Sequence, residues 1–325
     1  MHPSTKNLTM HLSIRNLTLC MGVCIAALLA LGLIIPKWLL FMCTMAFANG
    51  LVSLGIVMLM RGGVVAFGQG LMSAIGGYTA ALVFQQMGFK DGIVLTLLGG
   101  LAATLLTAPF APLLSRYRGI FFSMLTLALS MVGYGILVKT ERLGGSDGFN
   151  LGRITLAGQA LSDEGVGYAL YALAVCFAVV MSYLCRIYFD STRGLITQAI
   201  RDNELRVEYL GGSVRHTMAL NFVLAAFLGG CGGALAVMAL GHIDPTFSYW
   251  TTSGEFVFVA ILAGSQSVVA IMLASVILEA VRSFSSSYFP NTWQLVLGLF
   301  LLFVIRFLPF GIGSLWSSKQ HKERA

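Results

Sequence analysis

Chemistry needs charged or nucleophilic side chains, and this chain concentrates them. Only 10% of its 325 residues are charged and 57% are hydrophobic, yet five charges fall within eight positions: Arg201, Asp202, Glu204, Arg206 and Glu208. They sit in AIRDNELRVEYLGGSV (199–214). Residues 195–210 contain no Pro or Gly, so they predict about four helical turns, ended by Gly211 and Gly212. Asp202 stands four residues before Arg206, a spacing that supports a surface helix by a few tenths of a kcal/mol. Such a helix, carrying both signs beside Leu205, Tyr209 and Leu210, suits a groove in a partner protein. An anionic lipid surface calls for mainly Lys and Arg instead. A solvated connector with ordinary interfacial charge is the plainer alternative.

Other reactive groups are sparse. GGSDG (144–148) matches the G-x-S-x-G hydrolase pattern, but that motif needs a strand-turn-helix and His and Asp partners. Here it lies in a polar loop, and three of the five histidines, His2, His11 and His321, are in the tails. A turn built on Gly and Asp explains it. Glu255 and Glu279 fall in or near apolar runs, where an ionisable residue marks a functional site by default. A proton relay is one reading; pairing with Arg282, three residues after Glu279, is the other. His242 and Asp244 in GHIDP give only two strong ligands, so no metal site is expected. The six cysteines form no CxxC, and most lie in apolar runs as small hydrophobes. No G-x-x-x-x-G-K-[ST] occurs, so no cofactor is expected and any ATP must be bound by another chain.

The elements that position these residues follow from hydropathy. A mean hydropathy of +0.85 is far outside the soluble range, and several apolar runs reach the roughly 20 residues that a membrane helix needs. The expected fold class is an all-α polytopic membrane protein forming one membrane domain over 1–325. Ten hydrophobic segments are read at roughly 17–35, 38–60, 66–87, 91–114, 119–138, 167–189, 216–240, 254–264, 268–284 and 293–310. The eighth, about 11 residues, is too short to span alone. It predicts a half-helix, or one bent unit with the ninth. The first begins after Lys6 and Arg15 and is too long for a signal peptide, so it reads as an uncleaved span.

Lys and Arg set the orientation. With the N-terminus inside and ten crossings, 14 of the 20 basic residues fall inside and 6 outside, the bias of a cytoplasmic face. Both termini are then cytoplasmic. The same bias accounts for the net charge of +7 without a nucleic-acid partner. Two long loops result: 139–166 outside and 190–215 inside. In the start of the third segment, RGGVVAFGQGLMSAIGGYTAAL (61–82), glycines predict a broken helix of the kind tolerated where backbone lines a cavity. Gln69 sits in that start and Asn49 in the segment before it. Tight packing through Gly68, Gly70, Gly76 and Gly77 is the alternative, as it is for Gly229 to Gly233.

Taken together, these stretches resemble the membrane permeases of branched-chain amino-acid ABC importers, specifically the LivM-type subunit. The resemblance covers roughly residues 40–310. It rests on the order of GVVAFGQGLMSAIGGYTAAL (63–82), RGIFFSMLTLAL (118–129), LGGSDGF (143–149), AIRDNELRVEYLGGSV (199–214), FVLAAFLGGCGGALAVMALGHIDP (222–245), EFVFVAILAG (255–264) and WQLVLGLFLLFVIRFLP (293–309). Two positions depart from the pattern: Ala66 where Ser is usual, and Ser265-Gln266-Ser267 where a G-x-G turn is usual. The closing SSSYFPNTWQLVLGLF resembles a urea and short-amide branch.

The resemblance implies a role for each piece. Arg201, Asp202, Asn203, Glu204, Glu208 and Gly211 become a coupling loop held by an ATP-binding subunit. Asn49, Gly68 and Gln69 become part of the translocation path. Gly145, Ser146 and Asp147 become part of the face that receives a periplasmic binding protein. The implied partners are two ATP-binding subunits, a LivH-like paralogous permease, the binding protein and membrane lipid, in the bacterial inner membrane. The expected cargo is a branched-chain or similar aliphatic amino acid, with urea or a short amide second. An ion-driven secondary transporter using Glu255 or Glu279 is the competing class. An intramembrane enzyme would need convergent His, Asp or Glu inside the spans, which hold almost none.

Overall fold

The structure is a computed structural model that describes residues 21–156, 159–160, 165–265, 267–290, 292–308 and 311–313. Lys6, Arg15, Cys20, Gln266 and the basic tail with Lys319, Lys322 and Arg324, and with them both termini expected on the cytoplasmic side, lie outside the described residues.

Each of the ten hydrophobic segments contains a helix. In chain order the helices are α1 (Met21–Ile34), α2 (Lys37–Met60), α3 (Gln69–Gln86), α4 (Gly92–Thr107), the short α5 (Ala111–Leu114), α6 (Gly119–Lys139) and α7 (Gly165–Asp190). There follow α8 (Thr192–Asp202), α9 (Glu204–Tyr209), α10 (Val214–Leu240), α11 (Trp250–Ala263), α12 (Val268–Tyr288) and α13 (Trp293–Phe307). Among the described residues, six units are long and apolar enough to cross a membrane: α2, α4 with α5, α6, α7, α10 and α12. Apolar but shorter are α1, α11 and α13. The chain is a multi-pass helical membrane protein. α11 and α12 are separate helices, because Gly264 takes φ 76° and ends the first.

α10 is the hub, packed against α2, α3 and α4. Its glycines serve different neighbours. A Cβ at Gly232 would stand 2.6 Å from Val52 of α2, one at Gly229 3.0 Å from Met72 of α3, and one at Gly230 2.6 Å from the Gly99 carbonyl of α4. With no hydrophobic drive between helices in lipid, such close backbone approach is what gains van der Waals contact. α2, apolar on every side, is accordingly buried along most of its length, from Met42 to Leu59 with few interruptions. α6 is the opposite case. Only Phe122, Thr126 and Ser130, one stripe at four-residue spacing, are buried.

Two chain segments break the helical pattern. Residues 61–68 run without regular helix from the Arg61 end of α2 inward to Gly68, which lies against Thr126 of α6. Residues 241–249 run inward from the other end, by way of Pro245–Ser248, to Ser248 against Ser130. So α3 and α11 start side by side inside the bundle: the Gly70 N–H donates to Ser253 Oγ at 3.0 Å. They then run to opposite ends. Gln85 near the close of α3 donates to the Asn150 carbonyl, whereas Ser265 just past α11 meets Arg61.

The end that α3 reaches carries the small sheets. β1 (Phe149–Asn150) pairs antiparallel with β4 (His242–Ile243), and β2 (Thr155–Leu156) with β3 (Gln159–Ala160). The other end, holding Arg61, Arg118, Arg201 and Arg206, is called the basic end below.

Candidate functional site

Three clusters gather the polar groups. The first is the α8–α9 platform at the basic end. Ser191 caps α8 by accepting from Gly194 N–H. The continuous helix expected over 195–210 is in fact split at Asn203, whose backbone is extended (φ −162°, ψ 104°). Asn203 Oδ1 accepts from Arg206 N–H at 3.0 Å, and Glu204 follows in the first turn of α9. The cap and the acidic first turn favour a new helix start over continuation, so the Asp202/Arg206 spacing no longer lies on one helix. Gly211, with φ 81°, ends α9 as expected, and Gly212 N–H closes the turn on Val207 O.

The platform's inner face is apolar and anchored. Ile200, Val207, Val214 and Met218 pack with Leu59, Val64, Leu114 and Phe122 in a cluster beneath it. The outer face is not covered: Tyr209 is 88% exposed and Leu210 83%. Asp202 and Glu208 are exposed beside them. Arg201 and Glu204 instead turn back as ties. Arg201 Nη1 donates to Ser265 Oγ at 3.1 Å, and Glu204 pairs with Arg118. Arg118 is braced by the Ser115 and Tyr117 carbonyls at 2.8 and 2.9 Å. Arg61 Nε also donates to the Ser265 carbonyl, at 2.9 Å, while its guanidinium lies 4.0 Å over the Phe189 ring. Burial lowers the Arg61 pKa from its ordinary value and Asp190 opposes the shift. Thus one platform holds the close of α11 through Ser265 and the start of α6 through Arg118. Sequence reading missed Arg61, Arg118 and Ser265; the only local signal was that Arg61 and Arg118 precede glycines at helix boundaries.

The second cluster is the pair of breaks. A backbone that leaves the helix inside a membrane must bond elsewhere. α6 supplies the partners from one face, at spacings of three and four. Ser123 Oγ donates to Val65 O at 2.7 Å, Thr126 Oγ1 accepts from Phe67 N–H at 3.1 Å, and Ser130 Oγ donates to Ser248 O at 2.8 Å. Ser248 Oγ returns a bond to Ser130 O at 3.1 Å. Gln69 is fully buried; its Nε2 donates to Ala225 O at 2.7 Å, and its Oε1 has no partner among the described residues. It wedges between α2 and α10 at Gly55 and Gly229.

The third cluster is ionic. Asn49 Nδ2 donates to Glu279 Oε2 at 3.2 Å, and Arg282 pairs not with Glu279 but with Glu255, at 3.2 Å. Arg282 also lies 5.4 Å over the Trp293 ring. These groups border a void of about 20 Å³ with Phe256, Val259, Leu278 and Leu297. Asn49 therefore belongs with the two acids, and Gly68 and Gln69 with the break.

At the far end the expected turn forms at Gly144, Gly145 and Gly148, all with positive φ. Ser146 and Asp147 are exposed, and Ser146 Oγ donates only to Asp147 Oδ1 among the described residues. A cavity of about 630 Å³ opens near this end between α1, α2 and α7, with Lys37 and Arg153 on its wall. Among the described residues no group of three or more His, Cys, Asp or Glu is placed to hold a metal.

Comparison with known proteins joins these clusters to a family. The profile of the family described as "Branched-chain amino acid transport system / permease component" matches residues 38–305. The chain is 25% identical over 265 residues to the high-affinity branched-chain amino acid transport system permease protein LivM of Escherichia coli (strain K12). It is 26% identical over 265 residues to the protein of the same name in Salmonella typhimurium. Each alignment covers 75% of this chain and 62% of the relative, so the chain matches less than two thirds of the length of these curated proteins. No solved structure matches the chain.

Proposed function

We propose, for a chain that belongs to the family of permease components of branched-chain amino acid transport systems, that it forms one half of an ABC importer's membrane path. Its ten helical segments cross the bacterial inner membrane with the basic end cytoplasmic. A periplasmic binding protein delivers a branched-chain or similar aliphatic amino acid to the far end, where Gly145, Ser146 and Asp147 form part of the receiving face. A LivH-like paralogue supplies the other half. Of two ATP-binding subunits, one grips the α8–α9 platform.

The observation that carries this reading is the platform itself. Its outer face offers Tyr209 and Leu210 with the exposed Asp202, Arg206 and Glu208, while its inner face is tied by Arg201 and Glu204 to the ends of two helices. A pull on the platform reaches the close of α11 and the start of α6, and α6 holds both breaks. The tie is mechanical: two packed bodies with alternative arrangements are coupled through a few fixed contacts. Gly68 and Gln69 are assigned to the path at the breaks, and Asn49 to the path beside the two acids.

The test is uptake in right-side-out membrane vesicles that contain the chain and its partners and enclose ATP, with the binding protein outside. ATP-dependent leucine uptake, lost when the ATP-binding subunit is omitted, is the expected result. Uptake that persists without ATP and follows an ion gradient overturns the reading in favour of a secondary transporter. Uptake of urea without leucine corrects the cargo alone, and the closing stretch similar to the urea branch is the observation that keeps that arm in the experiment.

A further inference from the structure

The Glu255–Arg282 pair has no part in the reading above, yet its surroundings are those of a site. Asn49 lies twelve residues into α2, about 18 Å from the Lys37 end by helix rise. The hydrocarbon core is about 30 Å thick, which puts Asn49 and its partner Glu279 near the bilayer centre. One turn on, the side chains of Arg282 and Glu255 still expose 40% and 22% of their surface. Ionised groups at such depth face a bundle interior or a water-filled cavity, not hydrocarbon. The same stripe of α11 carries Thr251, Glu255, Phe258 and Ile261 at intervals of three and four, and none of them is buried. A Cβ added at Gly254 would meet no atom within 4 Å.

We propose that this stripe of α11 lines the aqueous path and that Glu255 and Arg282 bind the two charged ends of a zwitterionic amino acid. Arg282 takes the carboxylate through its planar fork, and Glu255 takes the ammonium. Glu279, held from behind by Asn49, adds a second carboxylate on the ammonium side. Phe258 and Ile261, one and two turns further along, meet the aliphatic side chain. The adjoining void of about 20 Å³ has room for little more than a water, so the site is shut in this conformation. A neutral amide offers hydrogen bonds but no charge to exchange for the ion pair. The assignment rests on the amino-acid reading above.

The experiment uses the whole complex with its binding protein in proteoliposomes. In a background with the six cysteines replaced, the Gly254→Cys protein is treated with a membrane-impermeant cationic methanethiosulfonate. Modification is expected, slowed at least fivefold during leucine transport; Thr251→Cys on the same stripe is the second probe if the first fails to assemble. Arg282→Gln is expected to lower leucine uptake tenfold or more while loaded binding protein still stimulates ATPase activity. The charge swap Glu255→Arg with Arg282→Glu keeps an ion pair but turns the solute's aliphatic end away from Phe258, so uptake is expected to stay below one fifth of wild type. Wild-type uptake from the swap, or inert cysteines in a complex that carries leucine, overturns the site and leaves the amino-acid reading standing. A wild-type complex that carries urea and no leucine overturns both.

Discussion

Arg201 Nη1 donates to Ser265 Oγ over 3.1 Å, joining residues 64 positions apart. It fastens the close of α8 to the turn that follows α11. Arg61 holds the same serine by its carbonyl, so Ser265 is gripped from two helices at once.

Arg201→Ala together with Glu204→Ala removes both ties while leaving the apolar anchors Ile200 and Val207. Uptake is expected to fall at least fivefold, with normal amounts of protein in the membrane and weaker stimulation of ATPase activity by loaded binding protein. Transport assays alongside membrane quantification check this. Unchanged uptake at normal levels removes the coupling assignment.

Thr126→Val keeps the shape of the side chain and deletes the acceptor for Phe67 N–H. A donor left unpaired inside the membrane costs about 1–3 kcal/mol. The expected result is a lower melting temperature of the detergent-solubilised protein. Ser130→Ala, which removes one bond of the reciprocal pair with Ser248, is expected to cost less, about 1 kcal/mol.

Gly230→Ala places a methyl 2.6 Å from the Gly99 carbonyl, a backbone atom that cannot rotate away. Overpacking of this kind costs about 1–3 kcal/mol. Gly135→Ala in α6 meets nothing within 4 Å and is expected to be neutral or stabilising by about 0.5–1 kcal/mol. Thermal denaturation of the two proteins side by side separates close packing from helix propensity.

Asn203→Ala removes the cap of α9, worth about 1 kcal/mol, without touching the ties at Arg201 and Arg118. Hydrogen exchange is expected to quicken at 204–209 and to stay unchanged in α10. Equal protection in both proteins means that packing through Val207 alone holds α9.

What the sequence determined was local. Hydropathy established a membrane bundle, since only long apolar runs satisfy lipid, and a helix is recovered in every one of the ten segments. The glycines before Gln69 marked a break, and the short run ending at Ala263 marked a half-helix, because both signals lie within a turn or two. The split at Asn203 was half legible: Asn followed by Glu is a helix start, but an unbroken stretch without Pro or Gly argued the other way, and the cap won. Partner choice was legible only as alternatives: Arg282 was open to either Glu255 or Glu279, and spacing did not decide between them. Arg282 is three residues from Glu279 yet binds Glu255, and Glu279 reaches Asn49, 230 positions away. Likewise, nothing near Ser123, Thr126 or Ser130 says that one face of α6 satisfies the backbone of two breaks. Propensity and hydropathy are sums over neighbours in the chain. Which charge meets which, and which hydroxyl meets which carbonyl, is decided only when α10 draws α2, α3 and α4 together and the two broken segments descend from opposite ends onto α6.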